Sequence, residues 1–302
     1  MKLKEMDKLI HGTAANDTVR VVAAVATRTV EEVVARHRLS PTATAALGRT
    51  LIGAALLGAT QKDFDRLTIK LESDGPIGGI VAEARPNGAL RGYVKNGLTD
   101  LPANGNGKFD VGGAVGSGMF FVIRESGFEL GLHNAPYVGS VPIQTGEIGD
   151  DLAFYLAKSE QIPSAVLLGV LLKNTEPFVA AAGGVLVQML PGANEHIITM
   201  IEDTIAHAPH LTSVIGEGAG PEELAELVLG EIEFKKLGER EIRFECTCSH
   251  EKALTMIEAL GADDVRSMLE EDTGASMACG FCSSNYKISA AELAAILERL
   301  SS

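Results

Sequence analysis

Apolar and polar residues alternate most regularly in the first third of the chain. Residues 67–72 read LTIKLE, in which every second side chain is apolar. A period of two is typical of a β-strand with one buried face. Turn sequences follow, DGP at 74–76 and PNG at 86–88, and such clusters of glycine and proline interrupt strands. The pattern therefore predicts a β-meander over residues 67–96.

Apolar runs predict the remaining elements of this region. Runs of β-branched or aliphatic residues indicate strands at 19–25, 119–124, 138–144, 165–172 and 179–190. Apolar residues at helical spacing indicate helices at 29–38, 42–60 and 147–159. Ser40 is a good capping residue for the second of these helices, and Pro41 suits its first turn. Helices interleaved with hairpin-linked strands predict an α+β domain over residues 1–191.

The pattern changes after this domain. Residues 195–206 have isoleucines on one face of an amphipathic helix, and a second helix is predicted at 221–229. The apolar faces of these two helices need a surface to pack on. We interpret residues 192–240 as a helical linker that docks on a neighbouring domain.

Residues 241–302 form the last predicted unit. Its expected elements are a strand at 241–245, helices at 251–260 and 263–270, and a final helix that begins at a capping box, Ser289 to Glu292. A unit of about sixty residues buries little apolar surface, and such units usually need a disulfide or a metal ion for stability.

The composition limits the classes of partner. The 302 residues carry a net charge of −14. Nucleic acids and anionic membranes are bound through Lys and Arg, so neither is expected. The N-terminus lacks the apolar segment of a signal peptide, and the apolar runs at 51–59 and 165–172 are too short to span a bilayer. We expect a cytoplasmic protein, whose thiols are kept reduced.

All four cysteines lie near the end of the chain, as two pairs. Cys246 and Cys248 form a C-x-C pair, and Cys279 and Cys282 form a C-x-x-C pair. Four thiolates are a complete tetrahedral set for one zinc ion, and two separated pairs resemble the knuckles of a zinc ribbon. This spacing favours metal binding over two permanent disulfides or four unrelated thiols. His250 is an alternative ligand, although four cysteines already complete the site.

The same spacing indicates a redox switch. Cysteines two and three residues apart can pair locally without moving the rest of the chain, and oxidised thiols no longer bind metal. Structural zinc contributes on the order of 10–16 kcal/mol of apparent binding energy in small peptides. The stability of a small domain is only about 5 kcal/mol. Loss of the metal is therefore expected to unfold residues 241–302.

Motifs in both regions resemble one family, the redox-regulated heat-shock chaperones, also called 33 kDa chaperonins. The resemblance covers the whole chain. In the last unit it is carried by FECTCS at 244–249, EED at 270–272 and CGFC at 279–282. In the first domain it is carried by residues 67–76, SEQIP at 159–163, and the segments AAGG and QMLP within 181–191.

This resemblance implies a cytoplasmic holdase that binds unfolding proteins under oxidative stress. The family is zinc-bound and inactive when reduced, and oxidants together with unfolding conditions activate it. By resemblance one Zn²⁺ per chain is held by Cys246, Cys248, Cys279 and Cys282. The oxidised form would contain the disulfides Cys246–Cys248 and Cys279–Cys282. The resemblance also implies a homodimer in the active state.

The apolar pattern suggests where client proteins bind. When the last unit melts, the linker helices lose their dock, and newly exposed apolar surface becomes available to unfolded chains. The hypothesis names one stripe of the linker and one face of a strand: Ile197, Ile201, Ile205, Val185, Val187 and Met189.

Two other classes of function stay open at this level. The pair Cys279 and Cys282 can belong to a thiol–disulfide oxidoreductase, although reactive pairs usually begin a helix. A zinc-ribbon module for nucleic acid is the other class, but residues 241–302 contain eleven acidic and five basic residues. No G-x-S-x-G, H-E-x-x-H or P-loop sequence is present. We therefore expect a binding protein and not an enzyme.

Overall fold

The structure, a computed structural model, describes residues 7–105, 107–126, 135–271 and 274–301. These residues fall into two compact units, with the boundary between Glu245 and Cys246. Both units combine helices with strands, which confirms the predicted α+β class.

The elements of the first unit include every helix and strand predicted for residues 1–191. In chain order they are β1 (Lys8–Ala14), β2 (Val19–Val25), α1 (Thr27–His37), α2 (Pro41–Gly58), β3 (Arg66–Ser73), β4 (Ile80–Ala84), β5 (Ala89–Val94), α3 (Val111–Val115), β6 (Gly118–Glu125), β7 (Tyr137–Pro142), α4 (Gly149–Lys158), β8 (Ser164–Leu172), β9 (Val179–Met189), α5 (Glu195–His207), α6 (Leu211–Gly216), α7 (Pro221–Leu229), β10 (Phe234–Glu241) and β11 (Arg243–Phe244). The sequence patterns did not predict β1, α3, α6 or β10.

Five strands form an antiparallel sheet in the order β10-β1-β2-β9-β8. β10 pairs along the whole of β1, with a bulge between His11 and Gly12. A Cβ atom at position 12 would lie 2.3 Å from the carbonyl oxygen of Lys235, so only glycine permits this close pairing. β10 comes from the segment that was interpreted as a helical linker.

The second sheet has six strands in the order β11-β5-β4-β3-β6-β7. Its strands β3, β4 and β5 are antiparallel neighbours, which confirms the predicted meander. β11 joins β5 in parallel, with Arg243 opposite Ala89. The chain therefore leaves the first unit from the edge of this sheet.

Helix α2 lies at the centre of the first unit and packs against strands of both sheets. It is buried around its circumference, as expected for a helix that is apolar on all sides. Gly48 permits close packing, because a Cβ atom there would lie 2.8 Å from Val170 Cγ2. The Ser40 hydroxyl accepts a hydrogen bond from the Ala43 N–H, which confirms the predicted cap.

Helices α5, α6 and α7 cover one face of the five-stranded sheet. They share one apolar cluster with β1, β2 and β9. We call this cluster the linker core; its buried members include Ile10, Val21, Ala23, Val185, Val187, Ile201, Leu211, Ile215, Leu224 and Val228. Residues 192–240 thus lie inside the first compact unit in this structure.

The second unit is small. Its elements are α8 (His250–Glu258), α9 (Ala262–Glu271), β12 (Gly274–Ala278), β13 (Asn285–Ser289) and α10 (Ala290–Ser301). The predicted capping box begins α10, because the Ser289 N–H donates to Glu292 Oε2 at 2.8 Å and the Glu292 N–H donates to Ser289 Oγ at 3.4 Å. Among the described residues of this unit, six form its buried apolar core: Ala253, Ile257, Val265, Ile288, Leu293 and Ile296.

Candidate metal centre

The structure brings the sulfurs of all four cysteines together. The Sγ atoms lie within 4.8 Å of one another, and none is in a disulfide. In a tetrahedral zinc site with bonds of about 2.3 Å, neighbouring sulfurs would be about 3.8 Å apart. The observed spacing fits such a site without a large rearrangement.

The second cysteine pair sits in the turn between β12 and β13. The Cys279 N–H donates to the Ser284 carbonyl at 2.9 Å, and the Ser283 N–H donates to the Cys279 carbonyl at 2.8 Å. The backbone N–H groups of Phe281 and Cys282 also donate to the Cys279 sulfur. The turn therefore fixes both sulfurs on one side of the hairpin.

The first pair lies just before helix α8. Ser249 caps this helix by accepting a hydrogen bond from the Lys252 N–H at 3.2 Å. The ammonium group of Lys252 reaches back to the Thr247 carbonyl at 2.5 Å. These contacts hold the C-x-C segment against the start of the helix.

Two side chains beside the cluster, those of Tyr286 and Ser284, lie within hydrogen-bonding distance of its sulfurs. The Tyr286 hydroxyl donates to Cys248 Sγ at 3.0 Å, and this bond raises the pKa of Tyr286 to about 12. Ser284 Oγ lies 3.2 Å from Cys282 Sγ. Neither residue was singled out from the sequence, since no spacing rule links a strand tyrosine to a distant cysteine.

The thiols differ in how readily they ionise. Burial raises the pKa of Cys248 to about 12. Burial also acts to raise the pKa of Cys282, but hydrogen bonds with the side chain and backbone of Ser284 and with the thiols of Cys248 and Cys279 together outweigh it and lower the pKa to about 7. Four thiolates this close repel one another. A bound cation removes this repulsion, so the chemistry of the donor set fits a soft divalent metal.

His250 does not join the cluster. Its Nε2 atom lies 2.7 Å from Glu292 Oε1, and among the residues that the structure describes the group able to hold a metal consists of the four cysteines. The contact connects the first turn of α8 with the first turn of α10.

The residues named for client binding lie in the linker core. Val185, Val187 and Ile201 are buried there, with exposures of 0%, 0% and 1%. Met189, Ile197 and Ile205 are partly buried against the same cluster. Three of the six are therefore fully covered in this form and three only partly. Contact of a client with the buried three would require the helices to move off the sheet.

Comparison with known proteins decides the family. The family model described as "Hsp33 protein" matches residues 7–289. The chain belongs to the Hsp33 family. Proteins named 33 kDa chaperonin from Enterococcus faecalis and Desulforamulus reducens are similar to it. The first is 43% identical over 95% of each chain, and the second is 42% identical over 97% of this chain and 98% of the relative.

A crystal structure of the Hsp33 homologue from Thermotoga maritima has the same fold. It is 35% identical in sequence, with a TM-score of 0.90 over 98% of this chain and 99% of the homologue. Hsp33 proteins are heat-shock chaperones, and the cysteine cluster is consistent with redox regulation. Within the described part of the chain, no helix combines the length and apolarity needed to cross a bilayer.

Proposed function

We propose that this Hsp33 protein is a holdase whose activity is controlled by zinc and by oxidation. In the reduced state Cys246, Cys248, Cys279 and Cys282 would bind one zinc ion and the protein would be inactive. The convergence of these four sulfurs within 4.8 Å carries the proposal. Zinc would supply a tetrahedral cross-link between the two cysteine pairs.

The size of the second unit supports a stabilising role for this cross-link. Its buried core contains six side chains, two of which are an alanine and a valine. Domains of about sixty residues bury little apolar surface for their length, and such domains usually need a disulfide or a metal ion for stability. A core of this size does not stabilise nearly sixty residues unaided.

Oxidation would remove the thiolate ligands in two steps, each of which forms one disulfide. Two thiolates lose two electrons and form one disulfide, while one equivalent of peroxide takes up those electrons and two protons and becomes water. We propose the pairs Cys246–Cys248 and Cys279–Cys282. Two equivalents of peroxide would therefore oxidise one chain completely and release the metal.

The choice of which cysteines form disulfides determines whether oxidation unfolds the second unit. Two sulfur contacts join the two pairs, at 3.7 Å between Cys246 and Cys279 and 3.3 Å between Cys248 and Cys282. Disulfides at those contacts would keep the two segments cross-linked, as the metal does. Local disulfides leave the segments unconnected, so only local pairing couples oxidation to unfolding.

We further propose that clients bind the apolar surface of the linker core. Helices α5–α7 pack on the sheet of the first unit, so their release would be a step additional to opening of the second unit. That release would uncover Val185 and Val187 on the sheet and Ile201 on the helix. These aliphatic surfaces suit exposed apolar segments of unfolding proteins. The active form is proposed to be a homodimer in the cytoplasm, without nucleic acid or membrane as partner.

The position of the C-x-x-C pair favours a binding protein over an oxidoreductase. Cys279 and Cys282 lie in a hairpin turn, where no helix dipole stabilises a thiolate. Burial raises the pKa of Cys279, the first cysteine of the pair, whereas the lowered pKa belongs to Cys282, which is 4% exposed. We infer that the protein acts without catalysing a reaction.

Zinc release and client protection, followed in one sample, test the proposal. The reduced, zinc-loaded protein is treated with peroxide at raised temperature, with a colorimetric chelator and an aggregating client present. We expect loss of one zinc per chain in step with reduced light scattering, and peptide mapping should find the two local disulfides. Equal protection by the reduced protein would contradict redox control, and insulin reduction by that form would favour the oxidoreductase.

A further inference from the structure

Hydrogen-bond donors reach three of the sulfurs in different ways. Cys279 and Cys282 receive theirs from their own turn, through the backbone at Phe281 and Cys282 and through Ser284. Cys248 receives its hydrogen bond from the phenol of Tyr286. Unlike the donors within the turn, Tyr286 reaches from the hairpin to a sulfur of the other cysteine pair.

The fold fixes Tyr286 for this contact. The residue lies in β13 and pairs with Met277 of β12, so the register of the hairpin fixes the position of its side chain along the strand. The ring is half-buried against the small apolar core, and its centroid lies 6.3 Å from that of His250. The ring therefore has a packing role that is separate from the role of the hydroxyl group.

We propose that Tyr286 is a positioning residue of the metal centre, whose hydroxyl group orients the Cys248 thiolate and sets how tightly the metal is held and how quickly peroxide releases it. This inference rests on the proposed function, because it assumes that the four cysteines bind metal. It adds a residue outside the ligand set.

The direction of the effect follows from charge. An O–H group aimed at a thiolate stabilises its negative charge and restricts the orientation of the sulfur. The same bond draws electron density from the sulfur, and a less electron-rich thiolate attacks oxidants more slowly. Removing the hydroxyl should therefore weaken metal binding and also speed oxidation.

Tyr286→Phe tests the hydroxyl alone, because phenylalanine keeps the ring that packs on the core. Changes in residues that hydrogen-bond to ligands typically cost 10–100-fold in metal affinity, and we expect a loss of about tenfold in competition with a zinc chelator. Zinc release under peroxide should be several-fold faster. Tyr137→Phe is the matched control, since Tyr137 is an exposed tyrosine of the first unit.

Cobalt substitution separates this role from simple packing. The thiolate-to-cobalt charge-transfer band at saturating metal reports the electron density on the sulfurs. We expect this band to shift in Tyr286→Phe and to stay unchanged in Tyr137→Phe. A loss of affinity with an unshifted band would assign Tyr286 to packing and overturn the inference.

The outcome also distinguishes this inference from the proposed function. Zinc affinity, release rate and cobalt spectrum all equal to wild type in Tyr286→Phe would refute the inference and leave the metal centre intact. A wild-type chain that binds neither zinc nor cobalt would refute the proposed function, and the inference would fall with it.

Discussion

Replacing Ile201 by alanine should loosen the docking of helix α5 on the five-stranded sheet. Ile201 is 1% exposed and packs in the linker core. The substitution deletes three carbon atoms, each worth about 0.8 kcal/mol of transfer free energy. The resulting cavity adds to this loss, and the total for such substitutions is about 2–5 kcal/mol. We expect about 3 kcal/mol here.

Amide hydrogen exchange measures this change directly. Because 1.4 kcal/mol corresponds to a factor of ten, 3 kcal/mol should raise the opening frequency of α5 about 100-fold. The assay is mass spectrometry of peptides from residues 195–207 in the reduced, zinc-loaded protein. A dye that binds apolar surface should also bind more strongly to the variant, because opening uncovers the linker core.

Ile198→Ala is the matched control for this experiment. Ile198 lies on the same helix, but it is only partly buried and is not part of the linker core. The same atoms are deleted, so helix propensity changes equally in the two variants. If the two variants exchanged at similar rates, burial of Ile201 would not hold the helix on the sheet, and the reasoning would be wrong.

Three further predictions concern metal, a helix cap and pH. Chelation of the metal under reducing conditions should unfold the second unit, seen as partial loss of helical circular dichroism, while the first unit keeps its own melting transition; a single unchanged transition would contradict this. Ser40→Ala removes the cap of α2 and should cost about 1 kcal/mol, lowering Tm by roughly 2–4 °C. Thr199→Ala, at an exposed position inside α5, should not lower Tm, because alanine favours a helix more than threonine does. Burial, and then the hydrogen bond to Glu160, raise the pKa of Tyr155 above its ordinary 10.0. The contribution of Tyr155 to the stability of the folded state is therefore fully present below pH 10 and is lost as pH rises above it, because the unfolded chain then ionises more readily. Tm should therefore fall less steeply above pH 10 in Tyr155→Phe than in wild type, and parallel curves would argue against this assignment.

Local sequence patterns predicted those elements whose apolar residues alternate regularly or form one continuous run. The alternation at 67–72 and the aliphatic run of β9 both describe strands with buried faces. Ser40 with Pro41, and Ser289 with Glu292, mark helix starts through short-range hydrogen bonds. Such signals are contained within a few residues, and so they can be read without knowing the fold.

β10 carries no such signal. Its sequence, FKKLGERE, is mostly charged, as is common for an edge strand that must avoid pairing with other chains. Its pairing is determined by β1, about 220 residues away. Long-range pairing of this kind is invisible to a window of ten or fifteen residues.

The four cysteines were found from spacing, but the roles of apolar residues were harder to predict. Val187 and Ile201 are apolar, and apolar residues are expected both in a core and on a surface that binds clients. The structure places both in a core. Tyr286 had no local signal at all, because its partner Cys248 lies 38 residues away. Sequence patterns identify functional residues that lie close together in the chain. Contacts between residues far apart in the chain can be found only from the structure.

The pairing of β1 with β10 also constrains when the protein can fold during synthesis. Ala14 emerges from the ribosome early, yet its partner Phe234 follows about 220 residues later. At about 5–20 residues per second, one edge of β1 stays unpaired for roughly 10–45 s. During that time the aliphatic strands of the sheet lack their final neighbour. Until residue 241 has emerged, the nascent chain therefore presents an unpaired strand edge, the kind of surface that pairs with other chains.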